Sequence, residues 1–530
     1  MADVAGAPAR ALVLIGFMGA GKTTVARELA RALHTEAQDS DELLTRRLGH
    51  SPASEFEQNG EAAFRAAEEQ LVCELLDAAE PGAVIALGGG SILSDRVRTA
   101  LEPHVVVLLD VEAELAWQRV GGAGEAVGGP LGRPLARDRE AFVALHGERR
   151  ALYERHAHAF VPPLRRGDAA ELLDALRALA AAPGGTRLIW AQSASGDYPV
   201  LVGRGLLRLL NGDGADELWP LSRSQSRAFL VTDQSVGSIY AELLGQTAGN
   251  IAIAPGEKTL ATAEAVWRAA AAAGITRADH FVALGGGVVG DLAGFCAATY
   301  QRGVPIVQIP TTLVAQVDSA YGGKTGIDLP EAKNYVGAYH QPAGVIVDPD
   351  ALETLPAREL AAGWVEVLKT ALIAGGPLWE RVGAGDDLDE QIVLECARTK
   401  LAVVASDERD SGQRQVLNLG HTVGHAIETA TGYHRYSHGE AVGLGLLAAL
   451  RLSGADGLRE QVRELLLARD LPVGFEGAST EAVVQATARD KKRVGDELPF
   501  VLLSEPGQAR PGCVVAAGQL QAAVAELAQS

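Results

Sequence analysis

Three histidines carry the strongest chemical signal in this chain. They lie in NLGHTVGHAIE (residues 418–428) and HGEAV (residues 438–442). His421 and His425 stand four apart, so on a helix of 3.6 residues per turn their rings leave one face and can approach a single ion. With His438 and with Glu366, a carboxylate inside the apolar run WVEVLKTALI (364–373), they form a set able to hold a divalent metal. The same spacing also fits a pair of hydrogen-bonded core histidines, because motifs this short recur by chance.

Two glycine-rich turns point to phosphate-bearing ligands. In FVALGGGVVGDLAGF (281–295) an apolar strand runs into Gly285, Gly286 and Gly287, and a helix then opens through Val288 towards Asp291. Unpaired N–H groups and the positive end of the dipole make such a helix start a site for an anion such as a dinucleotide. The strict GxGxxG pattern is missing, so a plain tight turn also fits. GFMGAGKTT (16–24) is more specific, since it matches GxxxxGK[ST] and follows the strand-like ALVLI. There Gly16, Gly19, Ala20 and Gly21 free backbone N–H groups to surround phosphate oxygens. Lys22 supplies a point charge for the outer phosphates, Thr23 offers a hydroxyl to magnesium, and Thr24 completes the motif.

These groups need two kinds of element to position them. Strand and helix patterns alternate through residue 349, which predicts parallel sheets with helices on both faces. Residues 350–530 lose the strand signal and read as mostly helical. The helical pattern of ELLDALRALAAA breaks at PGGT (183–186), and RLIW then starts a new strand. The expected architecture is α/β: a P-loop, nucleoside-monophosphate-kinase-like domain over 1–182, a linker at 183–186, a Rossmann-like domain over 187–349, and a helical metal- and substrate-binding domain over 350–530. The two GGG turns sit in unlike surroundings and are not an internal repeat.

Length and composition suit cytoplasmic enzymes acting on small molecules. At 530 residues the chain is long enough for three or four cores. Its four cysteines show no paired spacing, which suggests thiols in a reducing compartment rather than a disulfide frame. No run approaches membrane-spanning length. The net charge of −20 and a pI near 5.1 argue against nucleic acid or an anionic membrane as partner. The inferred ligands are anions too, so local clusters of cations must oppose the global field.

PTTLVAQVDSAYGGKTGID (310–328), Lys333, Asn334 and WVEVLKTALI, in that order with the histidine motifs, resemble the 3-dehydroquinate synthase family over roughly residues 187–530. The resemblance implies an NAD+- and metal-dependent conversion of 3-deoxy-D-arabino-heptulosonate 7-phosphate to 3-dehydroquinate and phosphate. Oxidation of a ring hydroxyl, elimination of phosphate, re-reduction and an internal aldol closure would follow one another without net consumption of NAD+. It implies Glu366, His421 and His438 as ligands of Zn2+ or another divalent ion such as Co2+, leaving His425 for proton handling and phosphate contact. His425, Lys324 and Asp318 become catalytic groups. Substrate positions are Arg302, Asp318, Lys324, Asn334, Lys369, Lys400, Arg414, Asn418, His425 and one of Lys491 or Lys492. Cofactor positions are Asp233, Glu257, Lys258, Gly286, Gly287, Val288, Asp291, Thr311, Thr312, Lys324 and Lys333. GEKTL (256–260) departs from the family, which commonly separates that Glu and Lys by two residues. Arg302 corresponds to an arginine donated across a dimer interface, which implies a homodimer through this half.

The P-loop, QDSDELL with Asp39 and Asp41, GEAAFRAAE with Arg65 and Glu68, the turn Gly88, Gly89 and Gly90, GRPLA with Arg133, and ERRALYERHA with Arg149 resemble shikimate kinase over roughly residues 8–180. The resemblance implies transfer of the ATP γ-phosphoryl group to the 3-hydroxyl of shikimate, with Mg2+ held by Thr23 and Asp39. Asp41 would orient the acceptor hydroxyl and take its proton, while Lys22 and Arg133 neutralise the transferred group. Arg65 and Arg149 would grip the shikimate carboxylate, which planar guanidinium groups suit. Leu44 and Thr45 stand where the family usually has Ile-Glu. Asp110, ending VVVLLD, is expected to be structural, and residues 121–134 form a glycine-rich lid. A different reading joins a P-loop regulatory module to a metal-dependent polyol dehydrogenase. Net NADH release without phosphate would mark the dehydrogenase, and lack of shikimate-dependent ADP formation would mark the module.

Overall fold

A computed structural model describes residues 8, 10–121, 138–165, 168–212, 215–487 and 499–528. The chain forms two compact units. The first comprises residues 1–190, 199–203 and 212–222, and the second residues 191–198, 204–211 and 223–530.

In the first unit, β1 (Leu12–Ile15) leads through the P-loop into α1 (Lys22–Ala32). It is followed by β2 (Ala37–Asp39), α2 (Ser40–Leu48), the long α3 (Pro52–Asp77), β3 (Val84–Ala86), β4 (Val105–Leu109), α4 (Arg139–His156) and β5 (Ala159–Val161). Most of β6 (Arg187–Ala191) and β7 (Tyr198–Val202) also belong here. The strand order is β2-β3-β1-β4-β5-β6-β7. β1 pairs in parallel with both β3 and β4, and all four of its residues are buried, as an all-apolar strand between two neighbours must be. β2, β1 and β3 therefore deliver Asp39, the P-loop and the Gly88 turn to the same end of the sheet. α3 breaks at Gly60 (φ 83, ψ 168), and its later part carries Arg65 and Glu68.

The second unit contains a parallel sheet in the order β14-β11-β10-β8-β9, made of β8 (Ala228–Asp233), β9 (Gly249–Ile253), β10 (His280–Gly285), β11 (Ile306–Pro310) and β14 (Gly344–Val347). Strand order reverses between β8 and β10, the crevice where open α/β sheets bind ligands. Asp233 ends β8 there, and the glycine turn ends β10 before α5 (Gly287–Thr299). Phe229, Val231, Val266, Phe281, Leu292 and Ile306 build one core under this crevice. β12 (Lys324–Leu329) and β13 (Ala332–Tyr339) stand apart as an antiparallel hairpin.

The remainder is dominated by α6 (Ala357–Ala374), α7 (Glu390–Ser406), α8 (His421–Ala430) and α9 (His438–Leu452). α6 is buried without interruption from Ala362 to Leu372, charged Glu366 and Lys369 included, so it runs through the middle of this helical region. A second hairpin, β15 (Pro499–Leu503) with β16 (Ala509–Val514), adds strands to a region the sequence pattern read as mostly helical. Among the described residues no helix is long and apolar enough to cross a membrane.

Candidate active sites

The P-loop leaves β1 with Gly16, Gly19 and Gly21 all at positive φ (142°, 83° and 94°). A Cβ at Gly16 would lie 2.8 Å from the Leu109 carbonyl oxygen, and one at Gly19 2.7 Å from that of Ala116, so the turn admits only glycine at both places. Lys22 curls back to donate to the carbonyls of Gly16 (2.9 Å) and Phe17 (3.2 Å). Ala20 is buried and Thr24 exposed. Thr23 Oγ1 donates to Asp39 Oδ2 at 2.6 Å, while Asp39 Oδ1 caps α2 by accepting from the N–H groups of Asp41 and Glu42. Hydroxyl and carboxylate thus meet beside the loop, a hard-oxygen pair that fits magnesium.

Asp41 projects from the first turn of α2 towards the Gly88 turn, where a Cβ on Gly88 would lie 2.7 Å from Asp41 Oδ1. Arg65 packs against Gly90 so closely that any side chain there would strike its guanidinium. Arg149, only 8% exposed, donates to the Gly89 carbonyl, which Tyr153 also engages. Glu68, the other residue the sequence drew from GEAAFRAAE, is buried between Arg65 (2.6 Å) and Ser91 (2.9 Å) and holds the guanidinium beside the turn. Burial pushes the Tyr153 hydroxyl up to about 12 and keeps it a neutral donor. Asp110 lies 3.7 Å from Arg150. Arg133 and residues 122–134 of the expected lid lie outside the described residues.

In the second unit, Ser437 caps α9 in a capping box with Glu440, which Arg358 of α6 also grips, and His438 follows at once. His421 begins α8 after Gly420, which takes the left-handed conformation (φ 79°). Close helix packing then joins the pieces: a Cβ at Gly439 would strike the Ala362 carbonyl of α6, and one at Gly424 would lie 2.9 Å from the Ala441 carbonyl of α9. One ligand-capable atom from each of His421, His425 and His438 falls within 4.8 Å of the others. Glu366 Oε1 lies 3.8 Å from His421 Nε2 and 3.4 Å from His438 Nε2. The far nitrogens are engaged too, His421 Nδ1 facing the Leu419 carbonyl (3.2 Å) and His438 Nδ1 facing Glu428 Oε2 (3.4 Å).

Glu366 is fully buried. Lys369 forms an ion pair with its Oε2 at 2.6 Å, but neither oxygen has a hydrogen-bond partner among the described residues, and Oε1 has no lysine beside it either. A buried carboxylate oxygen left that way is costly, and two imidazole nitrogens converging on it form a donor set that fits a zinc-class ion. Burial drives His421 well below the usual imidazole range. His438 is 41% exposed at its side chain; partial desolvation opposes its proton, but Glu366 and Glu428 outweigh this and push it up to about 9.

From this set a chain of opposite charges runs inward. Lys369 lies 3.6 Å from Asp318, and Asp318 also takes the ammonium of Lys400 from α7. Asp318 sits in a π-helical turn, Ala315–Ser319, a local widening that recurs at functional sites. Burial lowers Lys400, with Asp318 opposing the shift, and it likewise lowers Lys324, which pairs with Asp410 at 2.5 Å. Arg414, almost wholly buried, donates to the carbonyls of Glu408 (2.5 Å) and Gly322 (2.9 Å), and Asn418 stands half-buried before α8. Lys491 and Lys492 lie outside the described residues.

At the sheet crevice, a Cβ on Gly286 would lie 2.8 Å from Thr312 Cγ2 and one on Gly287 2.9 Å from Ser319 Oγ, so bare backbone opens α5, with Val288 in its first turn. Thr311 Oγ1 is buried without a hydrogen-bond partner among the described residues. That orphan hydroxyl, the bare helix start and Asp233 at the end of β8 fit a dinucleotide. Asp233 caps the next helix through Ser235 and Val236. Lys258 is buried against Asp291 (2.7 Å) and Asn334 (2.5 Å), whereas Glu257 is exposed and joins no described contact of the site. Burial raises Asp291, with Lys258 opposing the shift. Arg302 is exposed and left-handed (φ 71°) directly after left-handed Gln301. Asp328, not singled out in the sequence, accepts from the Asn334 backbone at 2.8 Å.

Fold and sites define an enzyme chain with a P-loop phosphotransferase site and a separate Rossmann-type site with a metal-binding set. Residues 18–177 match the family model described as Shikimate kinase, residues 250–362 that of 3-dehydroquinate synthase N-terminal, and residues 363–493 its C-terminal counterpart. The chain is 43% identical over 335 residues to the 3-dehydroquinate synthase of Symbiobacterium thermophilum, covering 59% of this chain and 92% of that protein. Among solved structures, 2-epi-5-epi-valiolone synthase from Streptomyces hygroscopicus subsp. jinggangensis 5008, with NAD+ and Zn2+ bound, is 27% identical with a TM-score of 0.56, covering 64% of this chain and 99% of that one. A 2-deoxy-scyllo-inosose synthase complexed with carbaglucose-6-phosphate, NAD+ and Co2+ shares the fold at 24% identity and a TM-score of 0.56, with the same coverage. The chain belongs to the 3-dehydroquinate synthase family and carries a shikimate kinase domain ahead of it, joining a kinase and a lyase of the shikimate pathway in one polypeptide. A P-loop regulator fused to a polyol dehydrogenase is not favoured.

Proposed function

We propose that the first unit phosphorylates the 3-hydroxyl of shikimate from ATP, and that the second converts 3-deoxy-D-arabino-heptulosonate 7-phosphate to 3-dehydroquinate and phosphate. In the kinase site, Lys22 turns from the loop carbonyls to the outer phosphates, and Thr23 with Asp39 holds Mg2+, which neutralises phosphate charge. Arg65, kept in place by Glu68, and Arg149 grip the shikimate carboxylate against the Gly88 turn. Asp41 orients the acceptor hydroxyl and takes its proton as the O–P bond forms. Arg133 completes the phosphate grip in this reading.

In the synthase site, Glu366, His421 and His438 hold a Zn2+ or Co2+ ion, which supplies Lewis acidity to the substrate hydroxyls. Asp233, Lys258, Asp291, Thr311 and Thr312 would hold NAD+ at the start of α5, where it would supply a reversible hydride acceptor. The protein's own groups handle protons and anions. Lys324, Lys400 and Arg414 meet phosphate and carboxylate, Lys369 and Asp318 fix the hydroxyl-bearing face, and His425 exchanges protons as phosphate leaves. The observation carrying this reading is the orphaned Glu366 Oε1 facing two imidazole Nε2 atoms. The test is metal analysis of purified protein with assays of both reactions. Phosphate release without NADH accumulation supports the synthase; net NADH formation would overturn it.

The exposed, left-handed Arg302 supports a homodimer in which this arginine reaches the partner's site, and small anionic substrates with a reducing thiol set support a cytoplasmic location. Linker and domain limits at 183–186 and 349/350 stay part of this reading.

A further inference from the structure

We infer that Glu428 is a positioning residue of the synthase site: it fixes the orientation and tautomer of the His438 ring and links that ring to Lys333. The inference rests on the metal-holding reading of Glu366, His421 and His438. Glu428 lies on α8 seven residues after His421 and three after His425, so all three side chains share one stripe of the helix. It is 3% exposed. Its Oε2 faces His438 Nδ1 at 3.4 Å, and its Oε1 accepts from Lys333 Nζ at 3.1 Å.

An imidazole can aim Nε2 as an acceptor only if the proton sits on Nδ1, and the group accepting from Nδ1 decides that. Glu428 is an acceptor-only carboxylate on that side, and Nε2 points at Glu366 Oε1. His421 solves the same problem with the Leu419 carbonyl, a fixed backbone group. His438 depends on a side chain whose second oxygen is committed to Lys333. That lysine also lies over the Tyr433 ring at 4.5 Å, which keeps its ammonium next to Glu428. No bond to substrate is needed: Glu428 acts through His438.

The test uses the full chain and Zn2+ alone, with affinity read by competition against a chromophoric chelator. Glu428→Gln keeps an acceptor oxygen but loses the charge, and Glu428→Met removes both. Loss of such a partner typically weakens metal binding about 10–100-fold, so roughly tenfold is expected for E428Q and roughly a hundredfold for E428M. That graded order, with partial rescue by the amide, is one that general loosening of the fold does not give. Should E428M fail to fold, E428Q alone decides. Unchanged Zn2+ affinity in E428Q, with His438→Ala clearly weakened, overturns the role of Glu428 and leaves the metal set standing. Unchanged affinity in both His438→Ala and Glu366→Gln overturns the metal set itself and this inference with it.

Discussion

Asp41 and Asp39 differ by two positions but face different partners. Asp39 is committed to Thr23 and to capping α2, whereas Asp41 points at the Gly88 turn beside the arginines. Asp41→Asn keeps shape and hydrogen bonding but removes the base. Turnover in a shikimate-dependent ADP assay is expected to fall about 10²–10⁴-fold, with the KM for ATP within a few-fold; unaltered turnover would remove Asp41 from that role. This division was legible in the sequence because contiguous motifs carry it. Glu428 was harder to read: its partners lie ten and 95 positions away, and its one sequence signal is its place on the His421 stripe. Lys258 and Glu257 show a further limit. Adjacent residues of GEKTL gave equal expectations, yet only Lys258 is buried on Asp291, because loop geometry turns neighbouring side chains to opposite sides.

Helix packing, more than any single side chain, brings Glu366, His421 and His438 together. α6 and α9 approach at Gly439, where the Ala362 carbonyl leaves no room for a Cβ, and α8 and α9 approach at Gly424. Gly439→Ala is therefore expected to wedge α9 from α6, costing about 1–3 kcal/mol by overpacking. Zn2+ affinity should fall although no ligand is altered, and chelator competition beside thermal unfolding checks this. No sequence pattern announces such crossings, since glycine in a helix reads only as a weak helix former. A second element-scale effect concerns β10. His280 at its start is fully buried, its Nδ1 2.7 Å from Ser226 Oγ, and burial holds its pKa down to about 4, against Asp279 and with Arg223. The unfolded chain takes up this proton near pH 6.5, before the folded one does, so stability is full above that pH and is lost as pH falls from 6.5 towards 4. The loss levels off below 4 at roughly 3 kcal/mol. His158, also near 4 through burial, acts in the same direction in the first unit. Unfolding midpoints measured from pH 7.5 to 4.5 should decline, and His280→Gln should flatten the decline.

At the scale of the whole chain, the two chemistries share a polypeptide but no intermediate. The product of the synthase reaction is not the acceptor of the kinase, so fusion cannot pass it directly from site to site. Every described residue proposed for phosphoryl transfer falls between Gly16 and Arg149, and every residue proposed for the carbocycle-forming reaction between Asp233 and Lys492. The halves should then fail independently. Lys22→Met is expected to abolish shikimate-dependent ADP formation while phosphate release from 3-deoxy-D-arabino-heptulosonate 7-phosphate keeps its kcat and KM. Glu366→Gln is expected to do the reverse. Point inactivation is a cleaner test than scission at 183–186. The first unit also claims residues 187–190, 199–203 and 212–222, so that cut would leave all of β6 and β7 on the other fragment and confound chemistry with folding. Steady-state assays of both activities on the two variants decide the matter: a loss of more than a few-fold in the unsubstituted half would mean that the sites are energetically coupled, and independence would have to be abandoned.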